Sequence, residues 1–302
     1  MIDDIPQVFF HKSKDENRDE NKEEKIEFEV LTLRHLFSRS PRLIPPLDQP
    51  HRLAFYQILY FTKGQGRHFI DFMPYEYSRG SLMFISAGQV NAFDLNPGAD
   101  GFLLLFTEDF LTRNMVHSDT LTFSRLYNYH LYPPDIPPLE STTLAFDHII
   151  NEIYNEYVFA ETFAKEEMLR TLLKLLLLKA ERIKQTLAPR EKNSEWMIQF
   201  SEFRHLLSAH FAQTRNADAY AAMMNISYTH LNKIVKAVTG NTAKSFVDKF
   251  IILEIKRQLA VSDVSIKELT YDMGFDEPTN FVKFFKKHTQ LSPSQFKKTL
   301  TE

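Results

Sequence analysis

LTYDMGFDEPTNFVKFFKKHT, Leu269 to Thr289, decides the fold of this 302-residue chain, because an upstream stretch repeats its pattern. Tyr220-Ala221-x-x-Met224-Asn225-Ile226 aligns with Leu269-Thr270-x-x-Met273-Gly274-Phe275, and Leu231-Asn-Lys233-Ile-Val235-Lys236 aligns with Phe281-Val-Lys283-Phe-Phe285-Lys286. The offset grows from 49 to 50 through one extra residue in the turn. Each copy predicts a short helix, a turn and a second helix. Ser265 and Glu268 form a capping-box pattern, Gly274 suits a left-handed helix end, and Pro278 suits a first helical turn. Asn225 stands where Gly274 stands, and Asn is the next residue to tolerate positive φ. Ser227 is placed to cap the second helix of the first copy.

Projected at roughly 100° per residue, Phe281, Phe284, Phe285 and His288 share one face of the last helix, with Thr279, Lys283, Lys286 and Lys287 opposite. The first copy groups Leu231, Ile234, Val235 and Val238 against Thr229, Lys233 and Lys236. The aromatic and aliphatic residues therefore read as core. A lysine face on one amphipathic helix is ordinarily just solvated. Here the lysines recur at equivalent places in two helix-turn-helix units, where such units meet a DNA major groove.

Upstream the pattern changes. LAPREKNSE, Leu187–Glu195, reads as a linker, and residues 141–187 carry helical periods. Leu169, Leu172, Leu173, Leu176, Ala180 and Ile183 recur at three- and four-residue steps, while Leu175, Leu177 and Leu178 widen the stripe. That breadth suits burial against a second helix or a second subunit, so 141–187 is read as a helical dimerisation segment. From Ile26 to Phe110 the runs FYQILYF, HFIDF, SLMFI and FLLLF alternate with KGQG, SRG, AGQ and NPGADG, the signature of a small antiparallel barrel or sandwich. KGQG, Lys63–Gly66, is expected as a hairpin turn. Lys12–Lys25, KSKDENRDENKEEK, has no apolar residue and reads as a flexible spacer.

Composition sets the limits. The chain is 43% hydrophobic and 25% charged with net charge −3. Charge is informative by region: residues 195–302 hold about 14 Lys and Arg against about 11 Asp and Glu, whereas the preceding residues are acidic overall. No uncharged apolar run, the leucines Leu175–Leu178 included, approaches membrane-span length, and the acidic start does not match a secretory signal, so a cytoplasmic location is expected. There are no cysteines, which removes thiolate chemistry and Cys-ligated metals. His35, His51 and His68 are scattered without a strand-paired His motif, and no Ser-His-Asp arrangement, phosphate loop or spaced carboxylate pair occurs. No catalytic residue, metal or cofactor is expected, and a cupin enzyme with an appended DNA reader is the weakest reading.

The stretch IKELTYDMGFDEPTNFVKFFKKHTQLSPSQFKK, together with YAAMMNISYTHLNKIVKAVTG and FIILEIKRQLA, resembles the C-terminal signature of AraC/XylS-type transcriptional regulators. FYQILYFTKGQGRHFIDF and GSLMFISAGQVNAFDL are more loosely similar to that family's sensor domains. The resemblance implies a two-domain α+β chain: a cupin-like antiparallel β-barrel sensor over 1–140 (12–25 flexible), dimerisation helices over 141–187, a linker over 188–194, and a seven-helix double helix-turn-helix domain over 195–302. It implies base-facing positions at Thr229, Asn232, Lys233, Thr279 and Lys283, and phosphate-facing ones at Lys236, Lys286 and Lys287. Asn280 completes the contact set. Double-stranded DNA with two boxes about one turn apart is the implied partner. A homodimer is expected, with a small-molecule effector of unassigned site and RNA polymerase admitted as further partners. A constitutive regulator whose barrel only dimerises is the alternative. The chain departs from the family pattern at Thr270, usually Ala, where a looser helix contact is expected, and at Gln290, often Gly. Lys233 and Lys283 stand where many relatives have Arg, and a lysine point charge discriminates guanine less sharply than a guanidinium fork.

Overall fold

A computed structural model describes residues 27–39, 45–94, 96, 98–113, 126–129, 132–159, 163–187, 194–262 and 264–300. The charged tract Lys12–Lys25 and residues 188–193 of the expected linker lie outside these. The chain divides into two compact units, Met1–Pro189 and Arg190–Glu302.

The first unit contains strands β1 (Phe28–Thr32), β2 (His51–Arg52), β3 (Tyr56–Lys63), β4 (Gly66–Ile70), β5 (Met73–Tyr77), β6 (Leu82–Ile85), β7 (Val90–Phe93), β8 (Asp100–Phe106) and β9 (Asp135–Ile136). They form two antiparallel sheets, in the orders β1-β8-β3-β6-β9 and β2-β7-β4-β5. Side chains alternate between the faces of a strand, and the two cores follow this alternation. Leu59 and Phe61 of β3, Met83 and Ile85 of β6, and Leu103 and Leu105 of β8 share a buried cluster with Ile70, Tyr77 and Phe93 of the second sheet. This is the layer between the sheets, so the barrel-or-sandwich signal resolves into two facing sheets. Their alternates Ile58, Tyr60, Leu82, Phe84, Leu104 and Phe106 point the other way, onto helices.

The helices of this unit are α1 (Leu33–Arg39), α2 (Glu108–Thr112), α3 (Glu140–Val158) and α4 (Lys165–Leu187). Phe146, Ile149, Ile150 and Ile153 of α3 and Leu169, Leu173, Leu176, Leu177, Ala180 and Ile183 of α4 bury the outer face of the first sheet. Polar anchors fix the layer. The Tyr60 hydroxyl donates to Asp147 at 2.7 Å, and buried Lys184 donates to the Pro133 carbonyl at 2.9 Å. Part of the broad leucine stripe is thus used within the chain, but Met168, Leu175 and Leu178, on one side of α4, remain exposed at 47%, 45% and 43%.

One turn corrects the sequence reading. KGQG is not a hairpin turn, because β3 and β4 pair with different neighbours in different sheets. It carries the chain across the sandwich, and Gly64 (φ +85°) lets it pass the 98–99 backbone: a Cβ there would lie 2.8 Å from the Ala99 Cα.

The second unit has seven helices: α5 (Ser194–His210), α6 (Ala217–Met223), α7 (Tyr228–Thr239), α8 (Ala243–Val261), α9 (Ile266–Asp272), α10 (Pro278–Thr289) and α11 (Pro293–Thr299). Helix α5 begins at Ser194, the last residue read as linker. Helix α8 is buried on several sides, through Phe246, Val247, Phe250, Ile251, Ile255 and Leu259, and touches α6 and α7 at one end and α10 and α11 at the other. Such a helix has little solvent face for its polar residues. Arg257 and Glu254 accordingly form a buried ion pair with each other. Among the described residues, no helix is long and apolar enough to cross a membrane.

Candidate nucleic-acid interface

Both copies of the repeat fold as helix-turn-helix units with nearly the same local chemistry. In the first, α6 ends with Asn225 at φ 55°, where Asn225 N–H donates to the Ala222 carbonyl and Ile226 N–H to the Ala221 carbonyl, each at 3.0 Å. In the second, α9 ends with Gly274 at φ 71°, and Gly274 and Phe275 N–H donate to Tyr271 and Thr270 at 2.9 and 3.0 Å. These paired bonds satisfy carbonyls the helix end would leave free. Ser227 caps α7 by accepting from His230 N–H. The Ser265–Glu268 capping box forms in both directions, and Pro278 opens α10 in its first turn.

The second helices present the faces expected. Leu231, Ile234 and Val235 of α7, and Phe281 and Phe285 of α10, are all 0% exposed. Thr229, Lys233, Lys236, Thr279, Asn280, Lys283, Lys286 and Lys287 are exposed. Among the described residues, none of these five lysines has a carboxylate partner, in contrast to Lys244, which pairs with Asp248 one turn away. His288 departs from its expected place: it is exposed, its ring 4.8 Å from that of half-buried Phe284. At the rim of the apolar arc, water competes successfully for an imidazole.

Two residues behave differently from a free contact face. Asn232 is half-buried, and its Oδ1 accepts from Ala243 N–H at 2.9 Å, capping the start of α8. Its carbonyl is committed to the fold, leaving the amide N–H groups to donate outward. Lys233 lies 5.5 Å from the ring centroid of Trp196, the chain's single tryptophan. An aromatic face under an ammonium narrows the directions the lysine samples. Sequence reading missed Trp196, since nothing in α5 marks it as a neighbour of α7.

The departures from the family pattern have local explanations. Thr270 is fully buried, and its hydroxyl donates to the Ile266 carbonyl at 2.7 Å, so the extra polar atom is satisfied within its own helix. Gln290 ends α10 in the left-handed region at φ 65°, where the first copy has Gly240 at φ 72°.

The two helix-turn-helix copies also touch directly, within Arg190–Glu302. Gly274, in the turn of the second, approaches the loop that precedes the first so closely that a Cβ would sit 1.9 Å from the Ala212 carbonyl oxygen. Beside it, the Arg215 guanidinium covers the Phe275 ring at 3.8 Å.

A further polar group lies away from the helices. His51, Gln57, His68 and Asn91 are buried on strands of the first unit, and both polar side-chain atoms of Gln57, His68 and Asn91 lack a hydrogen-bond partner. An unsatisfied buried polar group costs roughly 1–3 kcal/mol, so this is an expensive arrangement. His51 and His68, which looked unrelated in sequence, both meet Phe93, with ring centroids at 6.3 and 4.5 Å. Burial first, and then the neighbouring His51, push His68 down to about 3, so its ring is neutral. Among the described residues no group of three His, Cys, Asp or Glu side chains is arranged to hold a metal.

A sheet unit with a buried polar layer, followed by two capped helix-turn-helix units with exposed unpaired cations, defines a DNA-binding transcription regulator carrying a sensor-type domain. Comparison with known proteins agrees. Residues 220–299 match the helix-turn-helix domain family, and residues 48–173 match the AraC-like ligand binding domain family. The HTH-type transcriptional activator RhaS of Shigella sonnei is 22% identical over 266 residues, 84% of this chain and 88% of that protein, and RhaS of Escherichia coli O157:H7 matches over the same extent. Among solved structures, ToxT from Vibrio cholerae is 13% identical, with 92% of this chain and 100% of that chain covered and a TM-score of 0.45. The chain belongs to the AraC family of transcriptional regulators.

Proposed function

We propose that the chain regulates transcription in response to an effector, reading DNA through α7 and α10. The observation that carries this is the pair of equivalent exposed faces, each bearing lysines that have no carboxylate partner among the described residues, on a helix whose opposite side buries Leu231, Ile234 and Val235 in one copy and Phe281 and Phe285 in the other. In this reading Thr229, Lys233, Thr279, Asn280 and Lys283 reach base edges, with Asn232 contributing its amide N–H groups. Lys236, Lys286 and Lys287 meet phosphate. Lysine at a base edge serves as a cationic donor to guanine O6 and N7, and at the backbone as a neutralising charge.

The close contact between Gly274 and Ala212 supports a fixed separation of the two helices, hence two boxes about one helical turn apart. Residues 1–140 are assigned to sensing, 141–187 to dimerisation, 188–194 to a linker and 195–302 to DNA. The exposed Met168, Leu175 and Leu178 on α4 are the surface offered to a second copy. Effector response is favoured over a purely dimerising first unit by the unsatisfied polar atoms in its interior, which a dimerisation scaffold does not need.

The test is selection of bound sequences from a random DNA pool by the full chain. Enrichment of two short boxes about one turn apart, in paired half-sites, is the expected result. Random output from folded protein, with and without cell-extract metabolites, would show the lysine faces to be solvated surface only.

A further inference from the structure

Helix α5 carries an aromatic stripe: Trp196, Phe200 and Phe203 recur at four- and three-residue steps and so share one face. Phe200 and Phe203 are fully buried and meet Phe246 of α8, with ring centroids at 5.2 and 5.8 Å, and Phe203 also meets Tyr220 of α6 at 5.8 Å. Trp196 extends the stripe to the first turn of α5, where it is only half-buried. Over its ring stands the Lys233 ammonium, 5.5 Å from the centroid, on the exposed face of α7.

Lys283 occupies the equivalent position of α10, and among the described residues no ring lies under it. The two copies otherwise share their turns, capped starts and buried faces, so the helix-turn-helix itself does not impose the difference. A lysine on its flexible four-carbon stem loses much freedom when it settles on one base. A ring whose negative face attracts the ammonium restricts it beforehand, and an indole does this better than a phenyl or phenol ring. A carboxylate would also fix the ammonium, but it would repel the approaching phosphates, whereas an indole adds no net charge.

We propose that Trp196 is a positioning residue for DNA recognition: its indole face holds the Lys233 ammonium in the direction from which α7 reads a base edge, and so sets how sharply that base is discriminated. This rests on the base-edge reading of Lys233 and adds to the interface a residue from outside both helix-turn-helix copies. Trp196 acts through Lys233 and not by touching a base. The neighbouring Asn232 is held in a comparable way, by the Ala243 N–H that its Oδ1 accepts, so two successive side chains of α7 are fixed by helices on either side of it in sequence.

The experiment uses the full chain and selected DNA carrying both boxes, with discrimination measured by competition against the same DNA changed at one box. Lys233→Ala identifies the box that α7 reads, as the one whose discrimination it lowers. Trp196→Leu should lower discrimination at that same box by about two- to fivefold, the range of a partly exposed cation–π contact, and leave the other box untouched. The salt slope should stay as it was, since no phosphate contact is lost. Trp196→Phe should restore part of the discrimination, and the double variant should lose no more than Lys233→Ala alone. Unchanged discrimination in Trp196→Leu, an equal fall at both boxes, or additive losses in the double variant would make Trp196 an ordinary packing residue and overturn the proposal. A rise in discrimination would overturn it too, because the ring would then be holding the ammonium away from the base. Unchanged discrimination at both boxes in Lys233→Ala would refute the base-edge reading itself, and the proposal with it. Should Trp196→Leu fail to fold, the parent decides: Trp196, the chain's single tryptophan, should change its emission when DNA with the intact box binds, and change it less when that box is altered. An emission indifferent to that box would overturn the proposal.

Discussion

Replacing Gly274 by alanine should destabilise the DNA-binding unit far more than an ordinary loop substitution. The new Cβ would meet the Ala212 carbonyl oxygen at 1.9 Å, its carbon at 2.7 Å and its Cα at 3.2 Å, where ordinary contact begins at 3.4 Å. All three are backbone atoms, so relief requires the 211–215 loop to retreat by roughly 1.5 Å, pulling Arg215 from its stacked position over Phe275. The left-handed φ of +71° adds roughly 1 kcal/mol for a side chain. Loss of the guanidinium stacking adds about 1 kcal/mol, and the displaced loop at least as much again. The total is about 3–4 kcal/mol. Asn225→Ala, at the equivalent turn with φ 55°, should cost only about 1 kcal/mol, because only the backbone preference is lost. Trp196 makes the comparison clean: as the sole tryptophan, it lies within Arg190–Glu302, so its fluorescence in urea follows that unit in the intact chain. With a slope of about 1.5 kcal/mol per molar urea, the midpoint should fall by about 2 M for Gly274→Ala and well under 1 M for Asn225→Ala. Equal shifts would refute the reasoning, since they would mean that the approach to Ala212 carries no energetic weight.

Phe285→Ala removes a fully buried ring and should cost about 3–5 kcal/mol by the same fluorescence assay, with no change in preferred DNA sequence; a stable variant with altered preference would reverse the assignment of faces. Gln290→Gly should stabilise the unit by about 1 kcal/mol, relieving the left-handed residue that closes α10; an unchanged urea midpoint would show the strain to be absent. Lys283→Ala should relax sequence preference at one box, whereas Lys287→Ala should weaken specific and random DNA alike and reduce the salt slope by about 1; identical behaviour of the two in salt-dependent binding would contradict their roles. His68 is held near 3 in the folded chain against 6.5 when unfolded, so the unfolded state takes up more protons as pH falls below about 6.5. Stability should therefore decline on acidification, by up to about 1.4 kcal/mol per pH unit for this residue, and His68→Leu should flatten calorimetric stability profiles between about pH 6 and 5.

What sequence made legible is what local chemistry enforces. The caps at Ser227 and Ser265, the turns at Asn225 and Gly274, and the buried faces of α7 and α10 each depend on residues within a few positions of one another. Misreadings arose where local signals are degenerate. A glycine-rich connection between strands looks the same whether they pair or cross to another sheet, as KGQG does. His288 falls inside an arc that angle alone assigns to the core. Asn232 illustrates a third case, in which a residue expected on a contact face is needed by a neighbouring helix eleven positions away. The polar layer was invisible for a different reason. His68 and Asn91 lie on paired strands of one sheet and Gln57 on a strand of the other, spread over more than thirty residues of chain, and only three-dimensional counting of donors and acceptors exposes them. A single polar residue at an inward position of each otherwise apolar strand was the available clue.

The contact of Gly274 with Ala212, reinforced by α8, makes the DNA-binding unit resemble a ruler with two interchangeable tips. On the proposed assignment of Thr229, Lys233, Thr279 and Lys283 to base edges, selection acting on them would rewrite which bases are preferred without disturbing the interval between the tips, because those side chains are exposed and take no part in the contact. On the same proposal promoter evolution faces the opposite condition: point changes within a box would be answered by a substitution in the protein, while an inserted or deleted base pair between boxes would not.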